Sequence, residues 1–443
     1  MKKKLLPALI VTGLIILVVI IMGITALINK YTPTKKTEDL KEYFNISSDD
    51  EAALIVNNEL SDYKAKIIDK KIYVDYKFVH DSLNSRFYWD ANENVLLYTT
   101  ASDIISAAAD SNSYSVTKQT NDFGYPIVKA TSDSALIALD YVKQYSNITF
   151  KSYDDPARIV ITSKWDEIDS ATVSKSTQVR VKGGIKSPIL KEVKKDDKIT
   201  ILDSGDKWDK VATEDGVIGY IKRKALSESK KTKLTNPDYE EETFTHIKKD
   251  KDICLAWNQV TSQSANSKVP QVISSTKGIN VMSPTWFYLN DNNGNLADIA
   301  SKDYVSYCHS QGIEVWGLFS NFENTDVDAA YVLTHTSTRT TLINQIMSAA
   351  FNYELDGVNI DFENITEAAY GDSYIEFIRE LAIKCHNNGI SLSVDVTVPA
   401  SFNKFFNRSD MANFADYIVI MGYDEHYKGS DAGSVSSIPW VTE

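Results

Sequence analysis

The sequence predicts a multidomain protein: an amino-terminal transmembrane helix, an α+β stalk built on a repeat, a small β-barrel, and a (β/α)8 barrel lacking its last βα units. Three observations lead there. Lys2-Lys3-Lys4 precede an apolar run of 24 residues, Leu5 to Ile28. Between about residues 40 and 164 a helix, a strand, a turn and a second strand occur twice, 64 residues apart. From Lys249 onward strands alternate with helices, the sign of a parallel sheet.

The apolar run is long enough to cross about 30 Å of hydrocarbon. A secretory signal has a shorter apolar core and a small-residue cleavage site, and Ala26-Leu27-Ile28 offers only a weak one. The reading is an uncleaved signal-anchor over residues 1–29, with a cleaved signal as the alternative. The lysines then stay cytoplasmic and everything after Asn29 is extracellular, single-pass at the cell membrane. A net charge of −13, with no dominant basic patch, argues against a nucleic-acid binder. Cys254, Cys308 and Cys385 are odd in number and far apart, so buried free thiols are expected rather than disulfides. The six histidines show no metal-ligand spacing. Neither a metal nor another cofactor is expected.

Residues 30–39 are polar with one proline and read as a short tether. In the stalk, 40–164, Trp89-Asp90 followed by Val95 and Leu97 matches Tyr153-Asp154 followed by Ile159 and Ile161. Each copy has a helical segment (Tyr76 to Leu83; Ala138 to Tyr145), and Asp90-Ala91-Asn92 and Asp154-Asp155-Pro156 supply the turns. This aromatic-Asp-turn-strand pattern resembles the small domain at the amino end of some copper amine oxidases. No copper function follows, because the oxidase's metal centre lies outside that domain; the resemblance implies a spacer or wall-contacting module.

Over 170–226 short strands alternate with turns: Val179-Arg180-Val181, Ile199 to Leu202, Trp208 to Val211 and Gly219-Tyr220-Ile221. With a hairpin turn at Glu214-Asp215-Gly216 they read as a small β-barrel. It resembles a bacterial SH3-like domain, a family that often grips wall peptides, so Trp208 and Tyr220 are either groove aromatics or core. Residues 227–248, rich in Lys, Glu, Thr and Ser, read as a linker.

In the last domain, 249–443, the expected strands are Ile253 to Trp257, Asn280 to Leu289, Glu314 to Phe319, Gly357 to Phe362, Ser391 to Thr397 and Tyr417 to Gly422. Helices Lys302 to Gln311 and Tyr374 to Asn387 close on Gly312 and Gly389. Six such strands fit a (β/α)8 barrel shorter than the roughly 250 residues typical. Either the barrel lacks its last two βα units or the chain is a fragment, and the fragment is favoured.

The chemistry gathers at Asp356-Gly357-Val358-Asn359-Ile360-Asp361-Phe362-Glu363. Strand side chains alternate, so Asn359, Asp361 and Glu363 share one face and Val358, Ile360 and Phe362 the other. Two acids in a core strand are costly to desolvate. A neighbouring like charge raises one carboxyl's pKa, which keeps it protonated near neutral pH as a proton donor. Asp356 faces the opposite way and reads as a structural acid.

This stretch resembles the signature of glycoside hydrolase family 18, Asp-Gly-x-Asp-x-Asp-x-Glu, with Asn359 replacing the middle Asp. Met421-Gly422-Tyr423-Asp424 resembles that family's Met-x-Tyr-Asp element, and the likeness is nearest the wall- and spore-cortex-directed branch. The resemblance implies retaining hydrolysis of β-1,4 bonds next to N-acetylglucosamine, with the substrate's own acetamide as nucleophile. Glu363 would protonate the leaving oxygen and later activate water. Asp361 would orient the acetamide and stabilise the positive intermediate, and Tyr423 would donate to the acetamide oxygen. Asp424, Asn359, Met421 and Trp286 are expected to contact substrate, Trp286 and Trp257 alternatively being core aromatics. Asn359 cannot take up the charge of a middle Asp, which leaves the pH profile open. The family's eighth strand supplies a Trp floor under the sugar that nothing in this sequence replaces. The implied partners are peptidoglycan or chitin, the membrane, and a wall peptide at the SH3-like domain. The alternatives are a chitinase and a non-catalytic wall-binding scaffold.

Overall fold

The computed structural model describes residues 2–363, 365 and 370–442. The chain divides into two compact units, Met1–Asp75 with Leu139–Glu240, and Tyr76–Ala138 with Glu241–Glu443. The stretch expected to be one stalk, 40–164, thus contributes to both. The repeat is visible locally. A helical turn over Tyr76–Leu83 precedes the hairpin Phe87–Asp90 and Val95–Thr99, and the helix Leu139–Gln144 precedes the hairpin Thr149–Tyr153 and Arg158–Thr162.

The first unit opens with a helix, Lys2–Tyr31, whose Leu9–Tyr31 portion is long and apolar enough to cross a membrane. The polar segment after it is not a free tether. Thr34 N–H donates to the Ile185 carbonyl, Glu38 N–H to Ile189, and Ile189 N–H to Lys36, each at 2.8 Å. The reason is that extended residues there pair with the start of the strand Ile189–Val193, Thr37 bridging Ile189 in parallel. An antiparallel sheet runs through Thr177–Arg180, Ile218–Lys222, Trp208–Thr213, Lys198–Asp203 and Glu167–Thr172. Its turn at Glu214-Asp215-Gly216 works as the sequence suggests, with Gly216 at φ 83° and the Thr213 hydroxyl bonded to the Asp215 carboxylate. The expected linker carries one strand, Lys230–Lys233, paired with Glu167–Thr172.

The second unit is a six-stranded parallel sheet in sequence order, with helices between the strands. Its strands are β1 (Leu255–Asn258), β2 (Val281–Leu289), β3 (Glu314–Ser320), β4 (Gly357–Asp361), β5 (Ser391–Thr397) and β6 (Tyr417–Met421). Four helices matter below: α1 (Lys302–Ser310), α2 (Thr336–Tyr353), α3 (Gly371–His386) and α4 (Arg408–Phe414). Ser301 caps α1 by accepting from Tyr304 N–H. Gly312 and Gly389 sit beyond α1 and α3 at φ 72° and 68°, left-handed positions that glycine fills without strain. Cys254, expected to be buried in a strand, lies just before β1 and is exposed, whereas Cys308 and Cys385 are buried.

Each strand of β1 to β6 pairs in parallel with the next, Asn359 opposite Leu318 on one side and Ser393 on the other. Gly357 is required at the start of β4, since a Cβ would stand 2.6 Å from the Trp316 ring. The outward residues of β4 pack on helices. Phe362 stacks on Phe377 at 5.4 Å and on Tyr374 at 6.1 Å. Burying each such ring contributes about 1.5–3 kcal/mol. Asp356 holds the other end of the strand, accepting from Val315 N–H and from His309, both at 2.8 Å.

A five-stranded antiparallel sheet, Phe87–Asp90 to Gln119–Asp122, belongs to this same unit and covers α2 and α3. Tyr88 hydroxyl bonds to Ser373 at 2.8 Å, Thr99 to Glu376 at 2.8 Å, and Asp90 accepts from both Thr336 N–H and its hydroxyl at 2.6 Å. Arg339, wholly buried, pairs with Glu380 at 3.0 Å beneath the Tyr88 ring. As a result α3 is buried on all sides, 13 of its 16 residues lying inside.

Candidate active site

Alternation along β4 places Asn359 and Asp361 on the face away from the helices, and Glu363 follows just past the strand's carboxyl end. Asn359 is fully buried. Its amide oxygen accepts from the Trp257 indole N–H and from the Ser283 hydroxyl, each at 3.0 Å. Two facing donors fix which way the amide points. An asparagine therefore supplies the same acceptor an aspartate would, without the charge.

Asp361 is 9% exposed, and its Oδ1 has no hydrogen-bond partner among the described residues. Burial first, then the charges of Glu363 and Glu323, push its pKa from an ordinary 3.8 to about 7. Glu363 is exposed; partial burial, Asp424 and Glu323 raise its carboxyl above the usual range. Its backbone N–H donates to Asn321 at 3.0 Å. Asn321 thus ties the acid to the loop after β3. In that loop the Ser320 hydroxyl holds Glu323 at 2.7 Å. These two residues were not singled out from the sequence, because nothing in the pattern Ser-Asn-Phe-Glu marks them before β3 and β4 are known to be neighbours.

Tyr423 follows β6, 40% exposed, edge-on to Trp257 at 6.4 Å. Burial and the nearby Asp361 and Glu363 carboxylates raise its phenol to about 12, so it stays a donor at any working pH. Asp424 beside it has φ 66°, a left-handed conformation that costs a non-glycine residue roughly 1–3 kcal/mol. Met421, the last residue of β6, is partly exposed.

Trp286 is a correction. It is wholly buried, donates to Asn266 at 2.8 Å and packs edge-on against Tyr304 at 4.9 Å. Alternation turns it toward the helices, so it cannot stack on a sugar. Trp257, 40% exposed beside Tyr423, is the aromatic that faces the site.

A third acid, buried like Asp361, completes the group. Asp395 on β5 is 2% exposed; the Asn359 amide and the Trp257 indole lie near it, though neither carboxyl oxygen is in close hydrogen-bond geometry with them. Burial pushes its pKa to about 8; Asn359 and Trp257 draw it part of the way down, while Asp361 and Glu363 push it up. Among the described residues no three His, Cys, Asp or Glu side chains are placed to hold a metal ion. What the group can do is acid–base chemistry: an accessible raised carboxyl, a buried one two residues away, and a phenol across from both.

Residues 327–440 match the family described as "Glycosyl hydrolases family 18". The chain is 25% identical over 165 residues to the uncharacterized glycosylase YvbX of Bacillus subtilis (strain 168), covering 34% of this chain and 47% of that protein. It is 32% identical over 111 residues to YdhD of the same organism, provisionally named a sporulation-specific glycosylase, covering 24% of this chain and 26% of that protein. Thus it spans less than half the length of either relative. Among solved structures, a chitinase from Chromobacterium violaceum ATCC 12472 is similar with 20% identity and a TM-score of 0.37, over 43% of this chain and 62% of the other.

Proposed function

We propose that this family 18 domain is a working glycosidase. It cuts β-1,4 bonds next to N-acetylglucosamine by a retaining route in which the substrate's acetamide is the nucleophile. The carrying observation is the meeting of Glu363, Asp361 and Tyr423 at the carboxyl ends of β4 and β6, with both acids raised first by burial and then by neighbouring carboxylates, Glu363 acting on Asp361 and Asp424 on Glu363. Glu363, reachable from solvent, gives its proton to the leaving oxygen and then takes one from water. Asp361 accepts from the acetamide N–H and balances the positive charge that forms. Tyr423 donates to the acetamide oxygen, and Asp424, Met421 and Trp257 bound the sugar site.

The substrate we favour is peptidoglycan. The apolar helix Lys2–Tyr31 suits an anchor with its amino end in the cytoplasm, leaving the domains at the outer surface. The provisional sporulation-specific name of YdhD fits a wall glycan better than free chitin. The sheet over residues 170–226 is then an SH3-like module that meets wall peptide.

The test compares the full chain with Glu363→Gln on purified sacculi and on chitin, counting new reducing ends. Loss of a general acid predicts a fall of about 10²–10⁴ in rate. Equal rates would overturn the assignment. Sacculus binding with no new reducing ends from either protein would make it a wall-binding scaffold, and cleavage of chitin alone would make it a chitinase.

A further inference from the structure

Asp395 has no place in the mechanism above, yet the fold keeps it at a cost. A carboxyl 2% exposed, with the Asn359 amide and the Trp257 indole nearby but neither oxygen in close hydrogen-bond geometry, is expensive unless it stays protonated or shares a proton. The strand register says with whom. β4 and β5 run side by side in parallel, Asn359 opposite Ser393 and Ile360 opposite Val394. The next step along both strands sets Asp361 beside Asp395, and both have an unpartnered carboxyl oxygen.

We infer that Asp395 is a positioning residue that holds a proton for Asp361: the two buried carboxyls on neighbouring strands share it, and Asp395 does from β5 what Asn359 cannot do from β4. Two like charges this close do not both form easily, so one carboxyl keeps its proton while the other ionises. Asp395 lies deeper and keeps it; Asp361, nearer the sugar site, ionises and accepts from the acetamide. The groups around Asp395 agree. Asn359 on β4 and Trp257 on β1 reach it with their side chains, and the ionisable groups of Asp361, of Glu363 just past β4, of Tyr423 beyond β6 and of Tyr374 on α3 act on or feel it electrostatically. The Tyr374 hydroxyl also lacks a partner among the described residues, and its ionisation is pushed well up by burial and by both aspartates. It is therefore a neutral phenol and supplies no counter-charge to the pair.

The chemical meaning of the pair rests on the hydrolase reading, but its test does not need turnover. Infrared difference spectra of the full chain, with aspartate carboxyls shifted by ¹³C labelling, report protonated aspartate directly. The expected result is a protonated carboxyl near pH 7.5 that disappears in Asp395→Asn and returns in the double variant Asn359→Asp/Asp395→Asn, which moves the acid back to β4. Asp361→Asn should lower the pH at which the remaining carboxyl titrates by about one unit or more, since its charged neighbour is gone. A signal unchanged in Asp395→Asn, or a titration indifferent to Asp361→Asn, would overturn the inference. The double variant guards against simple misfolding, because a merely structural Asp395 would not be replaced from the neighbouring strand. Should the shared proton be seen in a protein that cleaves neither sacculi nor chitobiose-based chromogenic substrates, this inference stands and the hydrolase reading falls.

Discussion

Asp361→Asn should make the protein more stable at pH 8 and leave it unchanged at pH 4. The folded state raises the Asp361 pKa from 3.8 to about 7. A carboxyl so raised binds its proton more tightly when folded. Its contribution is fully present below about pH 4 and is lost as pH rises through 7. At about 1.4 kcal/mol per pKa step of one, the loss amounts to roughly 4 kcal/mol at pH 8. Asparagine keeps the shape and discards the charge, so about 2–4 kcal/mol should be recovered, the lower end allowing for local relaxation. The assay is guanidinium unfolding of the full chain in detergent at pH 4 and pH 8, followed through the near-ultraviolet signal of the buried Trp286 and Trp316. Equal stability at pH 8 would refute the claim that Asp361 is held against its own ionisation. A gain that persisted at pH 4 would mean that the asparagine makes new contacts, and the electrostatic reasoning would fall as well.

Three further outcomes follow from the same geometry. Asn321→Ala removes the acceptor of the Glu363 N–H and should lower kcat about tenfold with KM little changed, because it loosens the acid without touching the sugar site. Arg339→Ala leaves Glu380 buried without its partner and should cost about 3–5 kcal/mol in chemical denaturation. Trp286→Phe loses the bond to Asn266 and should cost about 1–3 kcal/mol while leaving KM within about twofold; a large rise in KM would restore Trp286 to the sugar site.

What the sequence showed plainly was whatever depends on period. The six parallel strands, the helix stops at Gly312 and Gly389, and the polar face of β4 all follow from alternation and from glycine's backbone freedom, and each appears where expected. Trp286 failed for an instructive reason. It lies in a long apolar strand, and such a run does not say which face looks inward. Asp395 does not stand out in the sequence, because a single acid in Ser-Leu-Ser-Val-Asp-Val-Thr reads as one polar residue among several; its meaning comes only from the strand beside it. The same holds for Asn321, which acts through a backbone N–H that sequence cannot point to. Residues 76–138 read as part of a stalk because their local pattern matches 139–162. Their contacts instead follow complementary buried groups, Asp90 with Thr336 and Thr99 with Glu376, which no period reveals.

Those contacts bear on the site through α3. A helix on the outside of a parallel sheet ordinarily keeps one face in water, and such a face is polar. In α3, Glu376, Arg379 and Glu380 occupy that face but are buried, held by Thr99, Arg339 and Asp410. Removing the covering sheet would leave the helix intact as a sequence but would take the Thr99 hydroxyl from Glu376, leaving it Arg379 alone, and would remove the ring over Arg339. On its other face α3 carries Tyr374 and Phe377, which stack on Phe362 between Asp361 and Glu363. The five-stranded sheet and the acids of β4 are therefore joined through a single helix, each layer fixing the next. A unit that buries acids without partners at one end needs rigid support behind them, since a strand free to shift would let water in and return their pKa values to ordinary ones. On this argument the sheet over residues 87–122 is part of the machinery that keeps Asp361 raised, and not a spacer that happens to lie beside it.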